Sequence, residues 1–421
     1  MTGGSLPTEP PEPTPPSPPS AEAAQSSDLG GKVIVYFVTD RAVKLAELLP
    51  YALHFFRTAA GVAFTLTVLA LVVVGLKLIR GLFGRIAIEV VAIGLLVAAA
   101  HYYATRVSRD DAANRVNAYG GEFSRDVTYG RCLVTLPVDE RVHQLGQVER
   151  PFSFFIFQGS EDPDRHVVVQ WLEETPEQQF FDSLADSIHG ADGGVLLFVH
   201  GYNVEFADAI RRTAQIAHDL KCTAVPVTYS WPSHGELLAY PADQVNADRS
   251  AVHLAKFIEN LSQRTAARQV YVIAHSMGNR VLSRAALLLP QSRRINVAQL
   301  VLAAPDVDAQ EFTDQFAPRL RLLADRITLY ASSNDSALKF SERWQTSHRA
   351  GETDPIVVVE GIDTIDASLL DTSMSDHSYY GDHRSVLSDI FYTITESKTP
   401  DTRFGLRQAS GAGGKYWKFS Q

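Results

Sequence analysis

The chain has 421 residues, 45% of them hydrophobic, and carries a formal net charge of -10 from 48 acidic and 38 basic side chains. That length holds one catalytic domain of ordinary size with appendages, and the acidic balance offers no footprint for a phosphate backbone, which excludes nucleic acid as an expected partner. Two cysteines, Cys132 and Cys222, stand far apart with no Cys or His at ligand spacing, so a disulfide framework and a zinc site are excluded as well; no metal or cofactor is expected.

Residues 5–28 are rich in Pro, Ser, Ala and Glu and nearly devoid of large apolar side chains. Such a stretch cannot bury enough surface to offset the entropy of ordering, so residues 1–30 read as a disordered tail that could dock a protein partner. The start of the chain lacks the basic-then-apolar pattern of a signal peptide. Ala59 to Leu76 then contains no charge and, extended by Thr58 and by Lys77 to Ile79, is long enough to cross a bilayer as a helix. Ile86 to Thr105 is apolar apart from Glu89 and His101 near its ends. Tyr51, Phe55 and Phe56 before the first run, and Tyr102 and Tyr103 after the second, sit where an interfacial aromatic belt would. Residues 49–106 therefore read as a transmembrane helical hairpin, because a buried pair in a soluble protein would need a polar face that the first run lacks. Lys77, Arg80 and Arg85 on the connector balance Lys44, Arg57, Arg106, Arg109 and Arg115 on the flanks, which leaves the orientation open. A hairpin does require the segments before and after it to lie on one side of the membrane.

From Tyr129 onward, short β-branched runs alternate with amphipathic helices, the pattern of a mostly parallel sheet flanked by helices. Expected strands are Arg131 to Pro137, Ser153 to Phe157, Val167 to Leu172, Val195 to Val199, Ala224 to Tyr229, Gln269 to Ala274, Gln299 to Ala304, Ile327 to Ala331 and Ile356 to Glu360. One helix stripe collects Phe206, Ile210, Ala214, Ala217 and Leu220, and another Ala251, Leu254, Ala255, Ile258 and Leu261. This domain is expected over 129–396, with a flexible tail over 397–421.

The strand Gln269 to Ala274 runs into Ala274-His275-Ser276-Met277-Gly278 and then a helical stretch. A strand, a tight turn and a helix would force Ser276 into a strained conformation with its hydroxyl beyond the sheet edge, and small residues two positions to either side permit that turn. Ser276 is thus the expected nucleophile. An oxyanion needs two backbone N–H donors, one from the residue after the nucleophile and one from a loop after an earlier strand; these are Met277 and, in His200-Gly201-Tyr202-Asn203, Tyr202. The serine also needs a histidine, and the histidine a carboxylate, in the chain order Ser, acid, His. Asp335, just beyond Ile327 to Ala331, is the first choice of acid, and Asp306 in Ala304-Pro305-Asp306-Val307-Asp308 is the alternative. His377 is the first choice of base, with His383 as the alternative.

Several motifs together resemble a family of α/β hydrolases of unknown function that includes bacterial esterase-like and lipase-like proteins. They are Phe198-Val199-His200-Gly201-Tyr202-Asn203, Ser230-Trp231-Pro232-Ser233, Ala274-His275-Ser276-Met277-Gly278-Asn279, Ala304-Pro305-Asp306-Val307-Asp308 and His377-Ser378-Tyr379. The resemblance implies the α/β-hydrolase fold, hydrolytic activity and a Ser276, Asp335, His377 triad, but no substrate. It also implies that an apolar first strand ending in Thr-Asp-Arg, here within 31–41, belongs to the same sheet. The transmembrane hairpin would then be inserted inside the catalytic domain, and the expected location is the bacterial inner membrane. The leading expectation is a membrane-anchored hydrolase of a small-molecule ester or a lipid; a peptidase or amidase, or a non-catalytic membrane adaptor, are the competing ones.

Overall fold

A computed structural model describes residues 31–44, 115–139, 141–151, 153–154, 157–158, 160–191, 193–290, 297–333, 347–370, 386–411 and 413–420. Its strands are β1 (Lys32–Val43), β2 (Tyr119–Thr135), β3 (Ser153–Phe154), β4 (Phe157–Gln158), β5 (Val168–Thr175), β6 (Gly194–Val199), β7 (Val225–Ser230), β8 (Gln269–His275), β9 (Val297–Ala303), β10 (Ala324–Ala331), β11 (Asp363–Asp366), β12 (Leu406–Gly411) and β13 (Gly414–Phe419). The helices are α1 (Glu177–Gly190), α2 (Phe206–Asp219), α3 (Tyr240–Arg264), α4 (Gly278–Leu288), α5 (Ala309–Glu311), α6 (Ala317–Leu323) and α7 (Val386–Ile394), with a π-helical turn, Phe312–Phe316, joining α5 to α6.

Eleven strands form one sheet in the order β12-β13-β11-β10-β9-β8-β6-β7-β1-β2-β5, and β3 and β4 pair separately. From β1 across to β13 every neighbouring pair is parallel, while β2 on one side and β12 on the other are antiparallel additions. Parallel neighbours need crossovers, and α2, α3 and α4 supply those between β6, β7, β8 and β9. Side-chain alternation splits the core in two. Val195, Leu197 and Val199 of β6 face α1, α3 and α4, whereas Leu196 and Phe198 face α2 and α7. Both helix stripes read from the sequence turn inward, since Phe206, Ile210, Ala214 and Ala217 of α2 and Ala251, Leu254, Ala255, Ile258 and Leu261 of α3 are buried.

The N-terminal strand lies inside the sheet, between β7 and β2. β2 begins at Tyr119, ahead of the domain start expected at 129, because its first residues pair with the end of β1, Val43 opposite Tyr119. Ile356 to Glu360 is not a strand. Ile356, Val357 and Val359 are half-buried against the core on one side of the sheet, the chain turns at Gly361 (φ 81°), and Asp363–Asp366 takes the place beside β10. Residues 397–421, expected as a flexible tail, instead supply β12 and β13. Trp417 and Phe419 alternate into the core, and the buried Arg403 pairs with Asp389 at 2.8 Å. The expected tail over 1–30 and hairpin over 49–106 lie outside the described residues, and among the described residues no helix is long and apolar enough to cross a membrane.

Candidate active site

Three non-glycine residues adopt left-handed backbone at the carboxyl edge of the sheet: Asn203 (φ 59°) beyond β6, Ser276 (φ 49°) at the end of β8, and Ala304 (φ 44°) at the end of β9. Such conformations cost of order 1–3 kcal/mol each and persist only where surroundings hold them. Around Ser276 the holding contacts are explicit. Its N–H donates to the Ala303 carbonyl at 2.9 Å, and its own carbonyl accepts from the N–H groups of Asn279 at 3.0 Å and Asp306 at 3.2 Å. The Asn279 side-chain amide donates to the carbonyls of Ala274, Ser276 and Ala303, each at 3.1 Å, bracing the turn from below. Only a glycine fits at 278, since a Cβ there would lie 2.4 Å from the His200 carbonyl oxygen and 2.6 Å from that of Val199. This close approach seats the start of α4, and with it the Met277 amide, beside the loop that follows β6. Met277 precedes the first turn of α4, where N–H groups have no partner within the helix.

Gly201 packs directly on Ser276. A Cβ on it would stand 2.8 Å from His275 Nδ1 and 3.1 Å from Ser276 Cβ. The next residue, Tyr202, is anchored at its far end by its hydroxyl, which donates to the Leu237 carbonyl, and its ring meets Tyr240 edge-on at 5.2 Å. The structure thus brings Ser276, Met277 and the Gly201-Tyr202 loop together at the carboxyl edge of the sheet.

Behind this loop lies a network that sequence reasoning did not identify. Arg41, at the end of the Thr-Asp-Arg segment of β1, is fully buried. Its guanidinium donates to the carbonyls of Val204 at 2.7 Å, Ser233 at 2.7 Å and Gly120 at 3.0 Å, and to Ser230 Oγ at 2.9 Å. Nη2 also lies 3.2 Å from His200 Nε2. Burial pulls the Arg41 pKa down to about 10, which leaves it charged at neutral pH. His200 stacks on Trp231 with ring centroids 5.1 Å apart, and burial followed by the Arg41 charge drives its pKa well below the ordinary value. Its Nδ1 points at the Gly201 carbonyl at 2.8 Å, so the neutral tautomer with Nδ1–H donating leaves Nε2 to accept from Arg41. His200 is therefore a scaffold for the loop. The Trp231 indole donates to the His200 carbonyl at 2.7 Å, and Ser233 Oγ joins Asp243 at 2.7 Å, which assigns the Ser-Trp-Pro-Ser motif to the same task. Asp40 accepts from Tyr229 and His253, each at 3.0 Å.

Asp306 is buried beside the elbow, but its carboxylate is already engaged. Tyr240 donates to Oδ2 at 2.7 Å, and Arg349 Nε lies 3.2 Å from Oδ1. Asp308 of the same motif caps α5 through the Glu311 N–H at 2.8 Å. Asp335, His377 and His383 lie outside the described residues. The chain is described to Ser333 beyond β10 and to Leu370 beyond β11. There Ala331 stands opposite Asp366, the Ala367 N–H donates to the Ala331 carbonyl at 2.7 Å, and the Ser333 N–H donates to Ser368 Oγ at 2.9 Å. Among the described residues, His143, His218 and Asp219 form the one group with three metal-ligand atoms within 4.8 Å of one another. It lies at the end of α2, on the opposite edge of the sheet from Ser276, where His143 bridges Glu149 at 3.0 Å and Asp219 at 2.7 Å.

Residues 176–393 match the family described as Alpha/beta hydrolase of unknown function (DUF900). The chain is also similar to the uncharacterized protein alr1448 of Nostoc sp., 23% identical over a match that spans 55% of this chain and 80% of that protein.

Proposed function

The chain belongs to that family of alpha/beta hydrolases of unknown function, and from that membership we propose that it is a membrane-anchored serine hydrolase acting on carboxylic esters. The observation that carries the reading is Ser276 itself, held at φ 49° between β8 and α4 with Gly201 packed against its Cβ. In this reading Ser276 Oγ attacks the ester carbonyl and its proton passes to His377. The carbonyl oxygen, now an oxyanion, accepts from the Met277 and Tyr202 amides. Collapse expels the alcohol, protonated by His377, and leaves an acyl-enzyme. Water, deprotonated by the same histidine, then releases the acid and restores the serine.

Asp335 is the proposed partner of His377. β10 is two strands from β8, about 10 Å at ordinary strand spacing, and the four positions from Ala331 to Asp335 can span up to ~14 Å. Asp306, the alternative acid, already neutralises Arg349 and accepts from Tyr240, which favours a structural role. The hairpin over 49–106 is the proposed anchor, in the bacterial inner membrane. The test is hydrolysis of a short chromogenic ester by the full chain. Activity in the wild type that vanishes in Ser276→Ala supports the reading, and activity that persists in Ser276→Ala rejects it.

A further inference from the structure

β1 runs parallel to β7, and β7 and β8 each run parallel to β6, so the end of β1 lies on the same edge of the sheet as Ser276. β2 returns antiparallel from that edge, with Tyr119 opposite Val43, and the Lys44 N–H donates to the Ala118 carbonyl at 2.8 Å. The excursion over 45–114, which contains the uncharged run from Ala59 to Leu76, therefore leaves and rejoins the domain at the catalytic edge, at points one strand spacing apart, about 4.8 Å. Its return point touches the segment that carries the active-site scaffold, since a Cβ on Gly121 would lie 2.5 Å from His234 Cα. Beyond His234, Gly235 and Glu236, Leu237 is 55% exposed and Leu238 78%, the latter the most exposed large apolar side chain among the described residues. Adjacent leucines held out in water beside a catalytic loop are unfavourable unless something apolar covers them. The Tyr202 hydroxyl donates to the Leu237 backbone carbonyl, a contact that a change of the Leu238 side chain leaves in place.

We infer that the carboxyl edge of the sheet lies against the bilayer, with Leu238 entering the headgroup–acyl boundary, and that the serine takes amphiphilic acyl esters from the membrane. The substrate half of this inference rests on the serine-hydrolase reading, and the placement half on the proposed membrane hairpin over 49–106. The occupant is a lipid surface because the apolar excursion starts and ends at the same edge, which brings any membrane it enters to these leucines.

The experiment uses the full chain in phosphatidylethanolamine–phosphatidylglycerol vesicles. Cys132 and Cys222 are buried, so an environment-sensitive maleimide dye attaches selectively at Leu238→Cys. Leu322→Cys is the control: Leu322 is 65% exposed on α6, which runs into the start of β10 at the opposite edge. Nitroxide-bearing lipids should quench the dye at 238 at least about twofold more than at 322. Equal quenching at the two positions overturns the inference. So does a dye at 238 that neither lipid nitroxide nor a water-soluble quencher reaches, which would place a protein partner there. In a second arm, Leu238→Asp should lower hydrolysis of a long-chain acyl ester in vesicles about tenfold while a short soluble ester is hydrolysed within about twofold of wild type. Equal rates of vesicle hydrolysis in the two proteins refute the substrate half. Absence of all Ser276-dependent hydrolysis refutes the hydrolase reading instead, and the quenching arm still decides the placement.

Discussion

Gly201→Ala places one methyl group between the loop after β6, the proposed oxyanion loop, and Ser276, the proposed nucleophile. Gly201 is not among the residues with positive φ, so alanine meets no backbone strain there and sterics alone decide the outcome. The new Cβ would sit 2.8 Å from His275 Nδ1, 3.1 Å from Ser276 Cβ and 3.2 Å from the His275 carbonyl, all inside the 3.4 Å at which ordinary contact begins. The elbow cannot retreat, because Asn279 and the Ala303 carbonyl hold it, so the loop carrying the Tyr202 amide must move by several tenths of an ångström. Loss of one oxyanion donor costs about 2.7–4 kcal/mol in transition-state stabilisation; a donor displaced rather than removed forfeits roughly half of that. The expected result is a fall in kcat of about 10- to 30-fold with KM nearly unchanged, and overpacking should destabilise the fold by ~1–3 kcal/mol. Steady-state kinetics on a short ester, with a thermal melt beside them, reads both quantities. A folded Gly201→Ala enzyme with wild-type kcat would refute the placement of the oxyanion site at this loop.

The two acids separate by opposite phenotypes. Asp335→Asn should keep the fold and lower kcat by about 10⁴-fold, whereas Asp306→Asn strands the buried Arg349 charge and should cost ~3–5 kcal/mol in a denaturant titration. Arg41→Lys cannot reproduce the five donations of the guanidinium, to Val204, Ser233, Gly120, Ser230 and His200. It should lower stability by ~2–4 kcal/mol and reduce kcat more than it raises KM, which a kinetic comparison at fixed temperature would show. His143 offers a pH signature. Burial would lower its pKa, but its hydrogen bonds to Asp219 and Glu149 outweigh that and raise it from 6.5 to about 10. Its contribution to stability is therefore complete below pH 6.5 and lost as pH rises through about 10, so the melting-temperature gap between wild type and His143→Gln should close across that window.

The strand, turn and helix around Ser276 were legible because their signature is local: a β-branched strand, a small-residue turn and a helix within about twenty residues. The same holds for the loop after β6, where a glycine and a left-handed asparagine follow an apolar strand. Arg41 was visible only as part of a motif, since its partners lie 79 to 192 residues away and nothing in the local pattern predicts that they meet. The two aspartates were hard to rank for the same reason, because each follows a strand end and the partners that occupy Asp306 come from α3 and from Arg349. The C-terminal hairpin was misread as a tail because its Gly-rich turn and exposed Arg, Gln and Lys hide a short alternation that only Trp417 and Phe419 reveal. Asp363–Asp366 was hidden in turn by the neighbouring valine run, whose apolarity serves packing against the core on one side of the sheet rather than strand pairing.

The central claim is that Ser276 is a nucleophile activated within an assembled site, and its most direct test is covalent. A fluorophosphonate added to the full chain in membranes, followed by digestion and mass spectrometry, should place a single adduct on the peptide containing Ala274-His275-Ser276-Met277-Gly278. That adduct should disappear in Ser276→Ala and slow strongly in Gly201→Ala. An adduct on another residue, or an unmodified Ser276 in folded protein, would contradict the account.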